Sequence, residues 1–205
     1  FGIEIDGEAF YQKIKDINPE IFIIDDQCLS VQDFDFDINN SFASLTLFSS
    51  GYSKYVDLDY GGFGFLKDEE FKGKFKSDSE REEFLDYQAI VKEKIPLIRK
   101  HKSKLNAIYR NNIPHSMHLG REFENWRFSI LVDDKDVLLK KIFQEDELFA
   151  SSHYMPIDAK YVDNPIQDSN SHKVANRIVN LFNDFRFTKE MAIRVVEVIN
   201  NFYKK

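Results

Sequence analysis

Lys54 is the residue in this sequence best placed for covalent chemistry. It follows Ser49 by five positions in the stretch Leu47-Phe48-Ser49-Ser50-Gly51-Tyr52-Ser53-Lys54, and a Gly61-Gly62 pair comes just before the next apolar run. An apolar strand, a small-residue turn and one lysine put an amine where burial and neighbouring charges can lower its pKa. A neutral amine of that kind can form a Schiff base. Upstream, Ile21-Phe22-Ile23-Ile24-Asp25-Asp26 reads as a buried strand ending in two carboxylates, the arrangement expected of a site at the carboxyl edge of a parallel sheet. Spacing alone also fits duller roles. Lys54 could be a solvated loop lysine, Ser49 ordinary turn chemistry, and Asp25 strand-end solvation.

Several elements must position these groups. Apolar residues at helical spacing predict a helix from Ala9 to Ile17, and Asn18-Pro19 stops it before the Ile21 strand. Strict alternation from Asp33 to Ile38 predicts a half-exposed strand, and Asn39-Asn40-Ser41 a turn into a strand from Ser44 to Phe48. Gly61 to Leu66 reads as a third strand. The charged, Gly-interrupted residues from Lys67 to Glu82 read as a lid or boundary. From Arg81 to about Asn111 the propensity is helical with a break at Pro96, and Leu85, Ile90, Val91, Ile95, Ile98 and Leu105 form an apolar stripe. Beyond it the pattern predicts a strand from Arg127 to Val132, a helix from Asp136 to Phe143 and a short strand from Leu148 to Ser151. A polar loop through Ser171, a helix from Val174 to Asn180 and a terminal helix capped by the Thr188 hydroxyl complete the chain.

Composition narrows the function classes. With 42% hydrophobic residues and 20 Phe in 205 positions, the chain can build a substantial core. Cys28 is its single cysteine, so an internal disulfide is excluded; a reducing compartment, by default the cytoplasm, is expected, and the apolar runs are too short to span a bilayer. A net charge of −7 argues against a nucleic-acid surface but leaves room for an anionic small substrate held by local donors. Asp33, Asp35, Asp37 and Asn39 imitate a calcium loop, yet Ile38 and Ser44 stand where glycine and glutamate are required. His115 and His118 have zinc-compatible spacing without a third ligand nearby, so no metal site is expected. Gly61-Gly62-Phe63-Gly64 does not form a dinucleotide fingerprint; its glycines suggest backbone passing close to the lysine.

The set Asp26, Ser49, Lys54 and Gly61-Gly62 resembles the fold-type I enzymes that use pyridoxal 5'-phosphate (PLP), and among them the DegT-type nucleotide-sugar aminotransferases. Arg99 to Asn111, with Tyr109, resembles that family's long connecting helix. Ser151 to Pro156 resembles its substrate loop, and Asn180 to Asp184 with Thr188-Lys189-Glu190 resembles its last strand and final helix. The resemblance implies an α/β fold: part of a PLP-binding large domain with a mainly parallel sheet and helices on both faces (residues 1–80), a connecting helix (81–112) and a small carboxyl-terminal α/β domain (113–205). It implies that Lys54 carries the cofactor and shuttles a proton, that Asp26 partners the pyridinium nitrogen, and that Ser49 binds the phosphate. His153 and Tyr154 would contact the sugar, although an exposed loop histidine fits there as well. The implied reaction moves an amino group, from glutamate, to a keto carbon of a nucleotide-linked sugar, in a homodimer.

Some positions depart from the family pattern. Leu29 replaces the usual histidine or glutamine three residues after Asp26, nothing from Gly64 to Glu93 matches the Asn-aromatic-Arg segment that completes a neighbour's phosphate site, and few residues precede Asp26, so an amino-terminally truncated enzyme is expected. Two rivals remain: a non-catalytic member of the fold that binds a sugar nucleotide or a partner, and a PLP-dependent sugar dehydratase, which Lys54 disfavours because such relatives replace the lysine with histidine.

Overall fold

The computed structural model describes residues 7–67, 71, 73–74, 81–120, 126–152, 155–156 and 169–204. Two compact units divide the chain between Arg99 and Lys100, inside the helix read as the connector.

In the first unit, helix α1 (Gly7–Ile17) precedes strand β1 (Ile24–Asp26), followed by β2 (Leu45–Ser49) and β3 (Gly62–Leu66). The sheet order is β1-β2-β3, with β1 and β2 parallel and β3 antiparallel to β2. β1 is shorter than the apolar run suggested and is buried only at its middle residue, Asp25, while Ile24 is 56% exposed. The strand expected from Asp33 to Ile38 does not form. Asp33 Oδ1 accepts from the Asp35 amide and Asp37 Oδ1 from the Asn39 amide, both at 3.0 Å, and these local bonds replace a ladder and lead into a 3-10 turn at Ile38–Asn40. The alternation still has a cause. Phe34 stacks on Phe63 at 4.2 Å and Phe36 meets Phe48 and Phe65, so the two rings face inward while the aspartates face water.

Helix α2 (Arg81–Asn112) runs unbroken through Pro96, contrary to the expected break. Proline cannot donate to the carbonyl four residues earlier, but buried Val91 and Ile98 on either side of it hold the helix by packing. With Tyr87 they form a cluster with Tyr55 and Val56, the residues that follow Lys54.

The second unit contains β4 (Phe128–Leu131), α3 (Lys135–Phe143), β5 (Ala150–Ser151), α4 (Asn170–Ala175), β6 (Ile178–Leu181) and α5 (Lys189–Tyr203). Its sheet has the order β4-β6-β5 and is antiparallel throughout. The helix expected from Val174 to Asn180 is corrected: α4 ends at Ala175, and Ile178–Leu181 is the central strand, buried at every residue. A short branched apolar run between turns fits either element by pattern, and its burial between two strands makes it β. α5 starts at Thr188, whose Oγ1 accepts from the Met191 amide at 3.2 Å. The Met191 sulfur accepts from the Thr188 amide at 3.4 Å, so a thioether stands in for the usual Glu or Gln of a capping box. Most of the charged stretch 67–82 and of the polar loop 152–171 lies outside the described residues, as do His153 and Tyr154. Among the described residues no helix is long and apolar enough to cross a membrane.

Candidate functional site

Because β1 and β2 are parallel, their carboxyl ends leave the sheet at one edge, and the register decides what shares a face there. Asp26 pairs with Leu47 and Leu47 with Gly64, while Ser49 pairs with Gly62. Side chains of paired residues lie on the same face and alternate along each strand. Asp26, Leu47 and Ser49 therefore occupy one face, on which Gly62 and Gly64 contribute no side chain. Asp25, Thr46, Phe48, Phe63 and Phe65 occupy the other.

Asp25 is thereby separated from Asp26. It is 7% exposed, Tyr11 Oη donates to its Oδ1 at 2.7 Å, and Gln27 Nε2 donates to both its oxygens at 2.9 Å. Burial and this carboxylate push the Tyr11 hydroxyl up. Asp25 thus ties α1 to the strand end. Asp26 is exposed, and its carboxyl is held below the usual range first by the Cys28 thiol, then by the Cys28 amide, which donates to Oδ1 at 3.0 Å, and to a smaller extent by the positive charge of Lys54. Cys28 in turn is pushed up to about 11, chiefly by burial and then by the Asp26 carboxylate.

Lys54 sits on a loop pinned at several points. The Lys54 amide donates to Gly51 O at 3.2 Å, the Ser53 amide to Asp57 Oδ2 at 2.8 Å, and the Leu58 amide to Ser50 O at 2.8 Å. Ser53 takes φ 62°, a left-handed position that the Asp57 contact helps hold. Buried Tyr55 and Val56 anchor the returning arm. Lys54 itself is half-buried, and among the described residues its Nζ makes no hydrogen bond or ion pair. Its positive charge acts on both Asp26 and Cys28, and Asp26 and Ser49 lie on one face of the sheet.

The glycines have a different task from the one expected. Gly61 has φ +84°, and a Cβ there would come within 2.9 Å of Tyr87 Cε2 and 3.2 Å of Ser50 Oγ. At Gly62 it would lie 2.7 Å from Phe48 O. They admit β2 and Tyr87, not the lysine. Ser50, fully buried, donates through Oγ to Tyr60 O at 2.7 Å, which leaves the Tyr87 hydroxyl to donate to Ser50 Oγ at 2.8 Å. Sequence reading missed Tyr87 and Cys28. Cys28 could have been noticed two residues after Asp26, whereas nothing in the sequence marks Tyr87.

The second unit holds another lysine in polar surroundings. Lys102 is 3% exposed, and its Nζ donates to Asn183 Oδ1 at 2.8 Å and to Trp126 O at 3.0 Å. Asn183 Nδ2 donates to Asn106 Oδ1, Arg127 pairs with Asp184 at 3.2 Å, and Tyr109 Oη donates to Phe182 O at 2.6 Å. Burial first, and Arg127 second, lower Lys102 to about 7. Two of the stretches that carry the resemblance, around Tyr109 and around Asn183, meet in this network. His115 and His118 have ring centroids 4.9 Å apart, and among the described residues no group of three metal-ligating side chains occurs.

No protein-family model and no curated protein matches the chain. Solved structures do. A DegT/DnrJ/EryC1/StrS aminotransferase from Brucella abortus superposes with a TM-score of 0.59 at 16% identity, over 100% of this chain and 62% of its own. DesV from S. venezuelae, solved with a ketimine intermediate, gives 0.68 at 14% identity over 100% and 63%. DesI, solved in the presence of its TDP-sugar product, gives 0.68 at 13% identity over 93% and 57%. The chain therefore has the α/β fold of these aminotransferases and spans somewhat under two thirds of their length.

Proposed function

We propose that this chain is the lysine-bearing part of a PLP-dependent aminotransferase of the DegT type, acting on a nucleotide-linked keto sugar. The observation that carries the reading is the sheet edge: Asp26 and Ser49 share one face with space above Gly62 and Gly64, and the nearby loop carries Lys54, whose amine has no partner among the described residues. The residues present fit the cofactor. Asp26, already held ionised, would pair with the ring nitrogen, Ser49 Oγ would donate to the phosphate, and Lys54 Nζ would carry the group. PLP, when bound, supplies the electron sink that lets a carbon beside nitrogen lose a proton.

What the chain's own groups contribute is positional. Asp26 keeps a negative charge where a protonated ring nitrogen needs one. Lys54 Nζ, on its pinned loop, would take a proton from the substrate carbon and deliver it back. Leu29 would offer the cofactor ring an apolar side chain in place of a polar one. The proposal extends to glutamate as amino donor, His153 and Tyr154 as sugar contacts, a homodimer and a cytoplasmic setting. DesI and its TDP-sugar support the substrate class.

The test is a visible absorption band on adding PLP. Wild-type protein is expected to develop the band, Lys54→Ala to lose it, and Ser49→Ala to keep it at a PLP affinity about tenfold lower, as expected for one lost charge-assisted hydrogen bond. Wild type without a band, or a band that survives in Lys54→Ala, would instead favour a binding scaffold that keeps the fold without the chemistry.

A further inference from the structure

Gln32 lies on the connection between β1 and β2 and is 3% exposed. Its Nε2 donates to Ser49 O at 2.5 Å and to Val56 O at 3.4 Å. Those carbonyls belong to the two arms of the lysine loop: Ser49 ends β2, and fully buried Val56 closes the loop two residues after Lys54. A primary amide has two N–H donors, and here they reach across the mouth of the loop. Rotating the amide would set Oε1 against both carbonyls, so the network fixes its orientation. Among the described residues Oε1 is then left buried without a hydrogen-bond partner. An orphaned buried acceptor calls for an explanation, and here the other end of the side chain supplies one.

We infer that Gln32 is a positioning residue for Lys54: its amide clamps Ser49 to Val56 and thereby fixes the reach of Lys54 Nζ toward the carboxyl ends of β1 and β2. The clamp itself stands on geometry alone; its effect on PLP rests on the function proposed above. Other bonds hold the loop together without Gln32, including Leu58 N to Ser50 O and Ser53 N to Asp57 Oδ2, so its loss loosens the arms without unfolding the unit.

Gln32→Met keeps the length of the side chain while removing both donors and the orphaned acceptor. Gln32→Glu keeps the shape and sets carboxylate oxygens against the two carbonyls. Amide hydrogen exchange without PLP, followed by PLP titration of the absorption band, is measured on wild type and both variants. In Gln32→Met, amides of residues 50–58 are expected to exchange about tenfold faster while those of residues 45–48 keep wild-type rates. The PLP concentration at half-saturation is expected to rise about tenfold with the plateau retained. Gln32→Glu should show a larger change in both. Faster exchange spread evenly through β2 and β3 would mark a purely structural role and overturn the inference. Unchanged exchange at residues 50–58, or local loosening with an unaltered PLP titration, overturns it equally. Failure of the function proposal looks different: wild type itself shows no band, and the exchange rates alone then decide whether the clamp exists.

Discussion

Lys102 and Lys54 differ in the two properties that decide whether an amine can react: how easily it loses its proton and whether anything can reach it. Lys102 has the perturbed pKa, lowered to about 7 by burial, that is often used to pick out an active-site lysine. Yet it is 3% exposed, and its Nζ donates to Asn183 Oδ1 and Trp126 O. Lys54 is half-buried, has no partner for Nζ among the described residues, and its charge acts on the Asp26 carboxylate and the Cys28 thiol. Desolvation lowers an amine's pKa wherever it occurs, whereas catalysis also needs a path for the substrate and a hydrogen-bonding capacity left unspent. By that criterion the function proposed above belongs to Lys54 in the first unit, whereas the Lys102 amine is spent on hydrogen bonds within the second.

Substitution at each lysine should separate the two roles. On the function proposed above, Lys54→Ala is expected to cost about 10³-fold or more in turnover, with unfolding free energy within about 0.5 kcal/mol of wild type. Kinetics beside urea denaturation checks both, and a large stability loss would make Lys54 structural too. Asp26→Asn should lower turnover by about 10²-fold through loss of fixed negative charge. In the same variant the Cys28 thiol, relieved of the carboxylate that helps hold it up, should alkylate at lower pH than in wild type. An unmoved pH profile of alkylation would mean that the two groups do not face each other.

Smaller effects probe the supports. Gly61→Ala forces a side chain into a positive φ, against Tyr87, and should destabilise by about 2 kcal/mol. A neutral result in thermal unfolding would show that the loop base can shift. For Lys102 the sign follows from its folded pKa of about 7 against the ordinary 10.5. Between those values the unfolded chain binds the extra proton, so stability rises with pH, by up to about 1.4 kcal/mol per unit from this one group. Below pH 7 the cost of burying the charge is fully present. Lys102→Met should flatten this slope between pH 7 and 10 in urea titrations, and identical slopes in the two proteins would contradict the assignment.

Much of the first unit's layout was legible because its signals were local. Ser44 to Phe48 and Gly61 to Leu66 read as strands from apolar runs bounded by turn residues, and β2 and β3 lie there within one residue. Where side chains compete with the backbone, pattern misled. Asp33 and Asp37 satisfy backbone amides that a strand would have used, and alternation survived only as the inward turn of two phenylalanines. Pro96 was read as a break because propensity does not register the packing of Val91 and Ile98. At the site, residue type and spacing drew attention to Lys54, the family resemblance added Ser49 and Asp26, and the shared face of Asp26 and Ser49 came only from the strand register. Gln32 and Tyr87 were invisible because their roles depend on contacts with distant parts of the chain.

The most direct measurement treats the PLP-equilibrated protein with borohydride and maps the pyridoxyl-modified peptides by mass spectrometry. Modification concentrated on Lys54, with Lys102 unmodified, is the predicted result. Modification of Lys102, or label scattered over surface lysines with none enriched at Lys54, would contradict the account.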